Sequence, residues 1–208
     1  MIDAALATRW KAVNEVTRLL AHPLNRVAAA WAGAPWGTGW KLYGFPIWQI
    51  HRDSRVQIGA GLNLRSTARS NPLGANRPCI ICTWAAGAVL TIGDGLGMTG
   101  GSIVCAQSVT VGNRVWIGAN SVITDTDFHP LAPADRLRDP AAGATAPIII
   151  EDDVFIGMQA LILKGVRLGA GCVIGAGSIV TRDVPAGMIA AGNPARVIGP
   201  VQGHTVTP

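Results

Sequence analysis

Histidine is the side chain best suited to moving a proton near neutrality, because its unperturbed pKa lies near 6.5. This chain has four: His22, His51, His129 and His204. His129 sits in the segment Asp125-Thr-Asp-Phe-His-Pro130. An imidazole beside a carboxylate is an arrangement for general-base chemistry, the carboxylate orienting the ring and fixing its tautomer. Asp127 is equally suited to shaping a turn, and the residues alone leave both roles open. Cys79 and Cys82 form a C-x-x-C pair, but no second pair and no nearby His completes a zinc set. Positions three apart in a strand face opposite sides. The cysteines therefore read as small buried residues in a reducing compartment, and no metal is expected.

The scaffold that must hold His129 shows itself as a repeat of six. From Ile150, steps of six land on Ile156, Ile162, Leu168, Ile174 and Val180. From Ile92 they land on Met98 and Val104 and, after one inserted residue at Thr110, on Val111, Ile117 and Ile123. A second column four residues on is small or aliphatic at nearly every position, from Leu96 to Val184. Glycine follows the first column at Gly93, Gly112, Gly118, Gly157, Gly169 and Gly175. A period of six fits neither an α-helix at 3.6 nor a strand at two. It fits one short strand plus one turn. Three such units close a triangular coil of about 18 residues, and coils stack into a solenoid in which neighbours bury each other. Between Ile123 and Ile150 the interval is 27 residues, not a multiple of six. The stretch from Thr124 to about Pro147 should leave the coil as a loop, and loops on rigid scaffolds are where function concentrates. His129 is the one histidine in that loop.

The repeat, the segment Ile174-Gly-Ala-Gly-Ser-Ile-Val-Thr-Arg-Asp-Val-Pro185 and the ending Ala191-Gly-Asn-Pro-Ala-Arg196-Val-Ile198 resemble the hexapeptide-repeat acyltransferases over roughly 56–199. The sugar O-acetyltransferases of maltose, galactoside and colanic-acid type look most similar. The resemblance implies an all-β fold, a parallel β-helix of left-handed sense, against the general preference for right-handed crossovers. It implies acetyl-CoA as donor and a hydroxyl of a sugar or polysaccharide precursor as acceptor. An amino sugar or other small amine is the alternative acceptor, since the same His could deprotonate either. Thr126-Asp-Phe-His129-Pro130 is similar to the family segment that carries the catalytic His. Met158, in Val154-Phe-Ile-Gly-Met158, takes the position of the backbone N–H that stabilises the oxyanion. Phe155, Gly157, Ala176, Thr181, Arg182 and Arg196 are the implied coenzyme A contacts, the two arginines being suited to phosphates. Lys164 can share that task where some relatives carry a basic residue and this chain has Gly199. Many members have Trp and Ser where this chain has Phe155 and Met158. Many also place an Asn where this chain reads Gly97-Met-Thr-Gly-Gly-Ser102, so Thr99, Ser102 and the loop's Asp125 become the acceptor-side candidates. The family further implies a homotrimer with sites at subunit interfaces.

The flanks read differently. Residues 1–55 form an extension: a helix over 3–21, with Asp3 as N-cap and Leu6, Trp10, Val13 and Leu20 on one face, then an irregular stretch over 22–49. Trp10, Trp31, Trp36, Trp40 and Trp48 all fall there. They could form a membrane-surface segment or pack on the first coils or a neighbouring subunit; packing is the favoured reading. Residues 200–208 read as a loose tail. A composition 49% hydrophobic and 14% charged excludes disorder. The net charge of +5 suits an anionic ligand or membrane surface. No basic block or aromatic-interleaved basic stripe points to nucleic acid. No run of 18 apolar residues and no signal-peptide pattern is present, so a cytoplasmic location is expected. A β-helix carbonic anhydrase would need three His around zinc, and a non-catalytic ice-binding helix would need a Thr ladder; neither pattern occurs.

Overall fold

In the computed structural model, residues 8–202 are described; Asp3, Leu6 and His204 lie outside that range. Strands follow one another around a triangular prism of three parallel faces. The first face stacks β1 (Lys41–Tyr43), β4 (Asn63–Arg65), β7 (Gly97–Thr99), β10 (Trp116–Ile117), β13 (Phe155–Ile156) and β16 (Val173–Ile174). The second stacks β2 (Ile47–Ile50), β5 (Ile80–Thr83), β8 (Ser102–Cys105), β11 (Val122–Thr124), β14 (Leu161–Ile162) and β17 (Ile179–Val180). The third stacks β3 (Arg55–Ile58), β6 (Val89–Ile92), β9 (Ser108–Val111), β12 (Ile148–Ile150) and β15 (Arg167–Leu168). The stack is closed by an antiparallel hairpin, β18 (Met188–Gly192) and β19 (Ala195–Pro200), turning at a cis Asn193–Pro194 bond.

The period of six works because of what each position meets. Ile123, Ile150, Ile156, Ile162, Leu168 and Ile174 all point into one continuous core and are essentially solvent-free. Each such side chain stabilises the fold by about 1.5–3 kcal/mol relative to exposure. The glycine that follows is dictated by the coil above it. A Cβ on Gly118 would lie 2.5 Å from Met158 N, and one on Gly157 2.5 Å from Ala176 N. With strands about 4.8 Å apart there is no room for a side chain there. One step of the column is corrected. Val104 is only half-buried, and Ile103 faces the core, in register with Ile81 and Ile123. The corner after Met98 turns through Gly100 and Gly101 and is one residue shorter than the corner after Ile117, which shifts the inward position.

The coils begin earlier than the sequence suggests. Lys41 pairs with Asn63 and Ile47 with Ile80, so the boundary belongs at 41 rather than 56. Periodicity missed this first coil because the tryptophans Trp40 and Trp48 stand with Leu42 where later coils carry aliphatics. Ahead of it runs α1 (Arg9–Trp31), a single helix that continues through Pro23, where an irregular stretch was expected. Pro23 removes one backbone hydrogen bond, but the helix is docked beyond it. Asn14 Nδ2 donates to Arg69 O at 3.0 Å and Asn25 Nδ2 to Gly44 O at 3.0 Å. Tyr43 and Glu15 are hydrogen-bonded, and Ala29 is buried. The helix face that meets the coils is thus polar and small. Trp10, Val13 and Leu20, read as a packing face, are exposed. Trp36, Trp40 and Trp48 do pack as a run of neighbouring rings against the core.

Two segments leave the prism. Residues 66–79 interrupt the second coil between β4 and β5. Residues 125–147 interrupt the fourth between β11 and β12 and contain the short helix α2 (Pro133–Arg138).

Candidate active site

His129 is mounted on a loop whose two ends are zipped together. Asp127 N donates to Ala144 O at 3.0 Å, Ala146 N donates to Asp125 O at 3.0 Å, and Thr126 bridges Thr145. Phe128 takes a left-handed backbone conformation (φ 61°), which turns the chain just before His129. The exposed imidazole has Nδ1 2.5 Å from the carbonyl oxygen of Pro140. A carbonyl only accepts, so Nδ1 is the nitrogen that carries the proton. In the neutral ring the lone pair then sits on Nε2, the arrangement a general base requires.

The carboxylates near His129 do other work. Asp127 Oδ1 is 2.7 Å from Lys164 Nζ, so it braces the loop on the next coil and does not orient the imidazole; Pro140 takes that role. Lys164 is correspondingly engaged with Asp127 rather than free for a phosphate. Asp125, an acceptor-side candidate in the sequence, is fully buried. Its two oxygens accept the backbone N–H groups of Ala106 (2.6 Å), Gln107 (2.8 Å) and Ser108 (2.8 Å). It is the carboxylate that closes the corner below the loop, and its burial keeps it from a substrate. Burial, with the Asp125 carboxylate adding to it, pushes the Cys105 thiol up to about 12, so that sulfur stays protonated and is no nucleophile.

The other candidates gather elsewhere. Phe155, Gly157, Met158, Ala176 and Thr99 line one groove of about 590 Å³ on the first face. Trp116 and Phe155 stand exposed in it. Met158 lies at the corner between the first and second faces. Its carbonyl accepts Gly177 N at 2.8 Å, and its own N–H makes no hydrogen bond among the described residues. Thr99 is buried and its hydroxyl accepts Asn71 Nδ2 at 3.1 Å. Ser102 is buried where the second face begins, away from the loop. The groove also holds Asn71, delivered by the 66–79 segment. Its sequence position, far from the His loop, gave no signal.

The topology keeps the two halves apart within one chain. His129, Lys164, Thr181 and Arg182 lie at the corner between the second and third faces, whereas Met158 and Ala176 lie at the corner between the first and second. The width of the second face separates them. Arg182 and Arg196 are both exposed, the latter on the final hairpin, and the chain does not bring them together. Beside the His loop, Phe128 meets Trp84 edge to face, with ring centres 5.6 Å apart. Trp84 is also one wall of an open cavity of about 780 Å³, which Trp31, Trp48, His51, Arg52 and Thr83 help to line. Neither the cavity nor the Trp84–Phe128 contact beside it was visible in the sequence, because the walls come from two coils and the helix end. No group of three or more His, Cys, Asp or Glu able to hold a metal occurs among the described residues.

Comparison with known proteins places these features. A family model described as the hexapeptide repeat of succinyl-transferase matches residues 99–125 and 147–182. A 2,3,4,5-tetrahydropyridine-2,6-dicarboxylate N-acetyltransferase of Staphylococcus aureus is 47% identical over 89 residues. That match covers 43% of this chain and 32% of the relative, so the chain spans about a third of the curated relatives it matches. Among solved structures, a hexapeptide-repeat-containing acetyltransferase from Vibrio cholerae aligns with a TM-score of 0.54 at 20% identity, covering 94% of both chains. A variant N-acyltransferase from Bacillus cereus, solved with dTDP-4-amino-4,6-dideoxyglucose and coenzyme A, aligns with a TM-score of 0.53 at 18% identity, covering 79% of this chain and 82% of that one. The repeat of six, the three stacked parallel faces and these likenesses agree: the chain carries the hexapeptide repeat over the matched residues and has the left-handed parallel β-helix fold of the hexapeptide-repeat acetyltransferases it resembles.

Proposed function

We propose that this chain is an acetyl-CoA-dependent acetyltransferase in which His129 is the general base. The observation that carries the reading is the contact of Nδ1 with the Pro140 carbonyl, which engages that nitrogen and leaves Nε2 as the ring nitrogen for an acceptor. Nε2 takes the proton of an acceptor hydroxyl as that oxygen attacks the thioester carbonyl. The Met158 N–H faces the oxygen that gains negative charge. The imidazolium then returns its proton to the departing sulfur. The groove along the first face, with Phe155, Gly157 and Ala176, is the place for the thioester arm, and the exposed guanidinium groups of Arg182 and Arg196 suit its phosphates.

Because His129 and Met158 occupy different corners of one prism, a complete site needs two chains. A cyclic trimer supplies this: the His129 corner of one subunit meets the groove of the next, and the ring closes without open ends. The acceptor we favour is a sugar hydroxyl. The tryptophan-lined cavity beside Phe128 and Trp84 offers flat apolar faces with polar groups at the rim, the usual make-up of a small-molecule site. The second reading, transfer to an amine, is favoured by the 47% identity to N-acetyltransferases. Coenzyme A thiol release with matched hydroxyl and amine acceptors separates the two readings. His129→Ala should lower kcat by about 10²–10⁴-fold on the true acceptor, and activity near that of the unaltered protein would remove His129 from the mechanism. Mixing His129→Ala subunits with Arg196→Ala subunits tests the shared site. Recovered activity is expected after subunit exchange, while no recovery, or a monomer by light scattering, would place the site within one chain.

A further inference from the structure

The helix α1 is amphipathic in the inverted sense. Asn14, Asn25 and Ala29 are buried, Asn14 against the 66–79 segment and Asn25 against the first coil, while Val13, Val16, Leu20, Leu24, Val27 and Trp31 face solvent. The spacing of these six, three or four residues at each step, makes one stripe along the whole helix. Exposure reaches 73% at Leu20 and 93% at Trp31. The stripe continues past the helix end, where Leu24, Val27 and Trp31 border an apolar notch of about 390 Å³ closed by Pro46 and Trp48. Exposed Phe45 and Ile47 extend it onto the first coil. A solvated apolar surface of this length marks a contact site.

Charge says what fits it. Arg9 stands in line with the stripe, Lys11 and Arg26 are exposed on other faces of the helix, and the chain carries a net charge of +5. The helix has a single acid, Glu15, already held by Arg18 and Tyr43. A second copy of the helix laid on the stripe would set two helices of like positive net charge side by side, with no free carboxylate on either to offset it. An anionic bilayer offers the opposite: phosphates for the basic side chains and an acyl boundary for the apolar ones, with Trp10 and Trp31 at the two ends of the stripe, a residue type that favours that boundary. No helix among the described residues is long and apolar enough to cross a membrane, so the contact is a surface one. We propose that α1 docks the protein on anionic membrane surfaces through the Val13–Trp31 stripe.

The test is co-sedimentation of the full chain with vesicles of phosphatidylglycerol and phosphatidylcholine (3:7) and with pure phosphatidylcholine, at low salt and at high salt. Binding to the anionic vesicles, weakened by salt and much reduced on neutral ones, is expected. Leu20→Glu and Leu24→Glu should each lower partitioning by at least about tenfold, the scale of one buried leucine. Thermal midpoint and oligomeric state should be unchanged, because both side chains are exposed in the fold. Arg9→Glu with Lys11→Glu, which leaves the stripe intact, should abolish the preference for anionic vesicles. Absence of binding to anionic vesicles overturns the proposal. So does a smaller assembly for Leu20→Glu with vesicle binding retained, which would assign the stripe to a protein–protein contact. Acetyl-transfer activity is not a readout in either arm, so the outcome is independent of the function proposed for His129.

Discussion

The stacked coils and the cap helix each carry a long apolar stripe, and the two stripes point opposite ways. In the coils the column through Ile123, Ile156 and Ile174 is sealed in the core, and the residues between face solvent. In α1 the column through Val13, Leu20, Leu24 and Trp31 is in solvent, and the face turned to the protein is made of Asn14, Asn25 and Ala29. Periodicity reports which residues share a face. It does not report which way that face looks. In a solenoid the direction is forced, because each coil's interior closes on itself whatever else the chain does. A helix laid on the end of the stack has two choices, and hydrogen bonds decided this one. Gly44 O in the first coil and Arg69 O in the segment that interrupts the second are met by Asn25 and Asn14, and a buried carbonyl without a donor is costly.

Four substitutions sharpen the contrast. The largest effect belongs to the coils: Ile156→Ala should cost about 2–5 kcal/mol in denaturant unfolding, since the rigid stack cannot collapse on the cavity. A loss below about 1 kcal/mol would mean the coils breathe enough to refill it. Next is Asp125→Ala, which leaves the three N–H groups of Ala106, Gln107 and Ser108 without their acceptor and should cost about 3 kcal/mol. Its effect should appear in stability, and an intact fold with a raised acceptor KM would return Asp125 to substrate binding. Smaller again is Asn25→Ala on the inward side of α1, at about 1 kcal/mol. It removes the bond to Gly44 O, but it also removes a buried Oδ1 that has no hydrogen-bond partner, and the two partly cancel. The smallest is Leu20→Ala, expected within about 0.5 kcal/mol of the unaltered protein because nothing in the fold covers it. If Leu20→Ala cost as much as Ile156→Ala in dilute monomer, the outward stripe would be packed after all.

The same division runs through the site. The break in the period of six located the loop, and the lone histidine inside it followed. That inference needs only the counting of residues, because a coil that must stay in register tolerates an insertion only by expelling it. The roles of the neighbours were not legible. Asp127 and His129 are two residues apart, but the turn at Phe128 separates them, and the partner of each lies far along the chain: Lys164 for Asp127 and Pro140 for His129. Asp125 looked available because an Asp in a loop is usually solvated. It is instead the first loop residue, still inside the corner, where the backbone N–H groups of the coil before have no other acceptor.

The sequence by itself determined the coils, since the aliphatic column and its following glycines admit one arrangement: an inward side chain and, at Gly118 and Gly157, a backbone pressed by the next coil. It also determined that one loop leaves the stack and that His129 is on it. Only the tertiary structure decided that the stack begins at Lys41, that α1 runs unbroken through Pro23 and turns its apolar side outward, and that Asn71 and Trp84 stand beside elements remote from them in the chain. The physical reason is range. Repeat spacing and glycine placement are settled by contacts between one coil and the next, which recur often enough to be written as a pattern. The docking of a cap, the pairing of Asp127 with Lys164 and the meeting of Phe128 with Trp84 each happen once, between segments whose separation in sequence leaves no period to read.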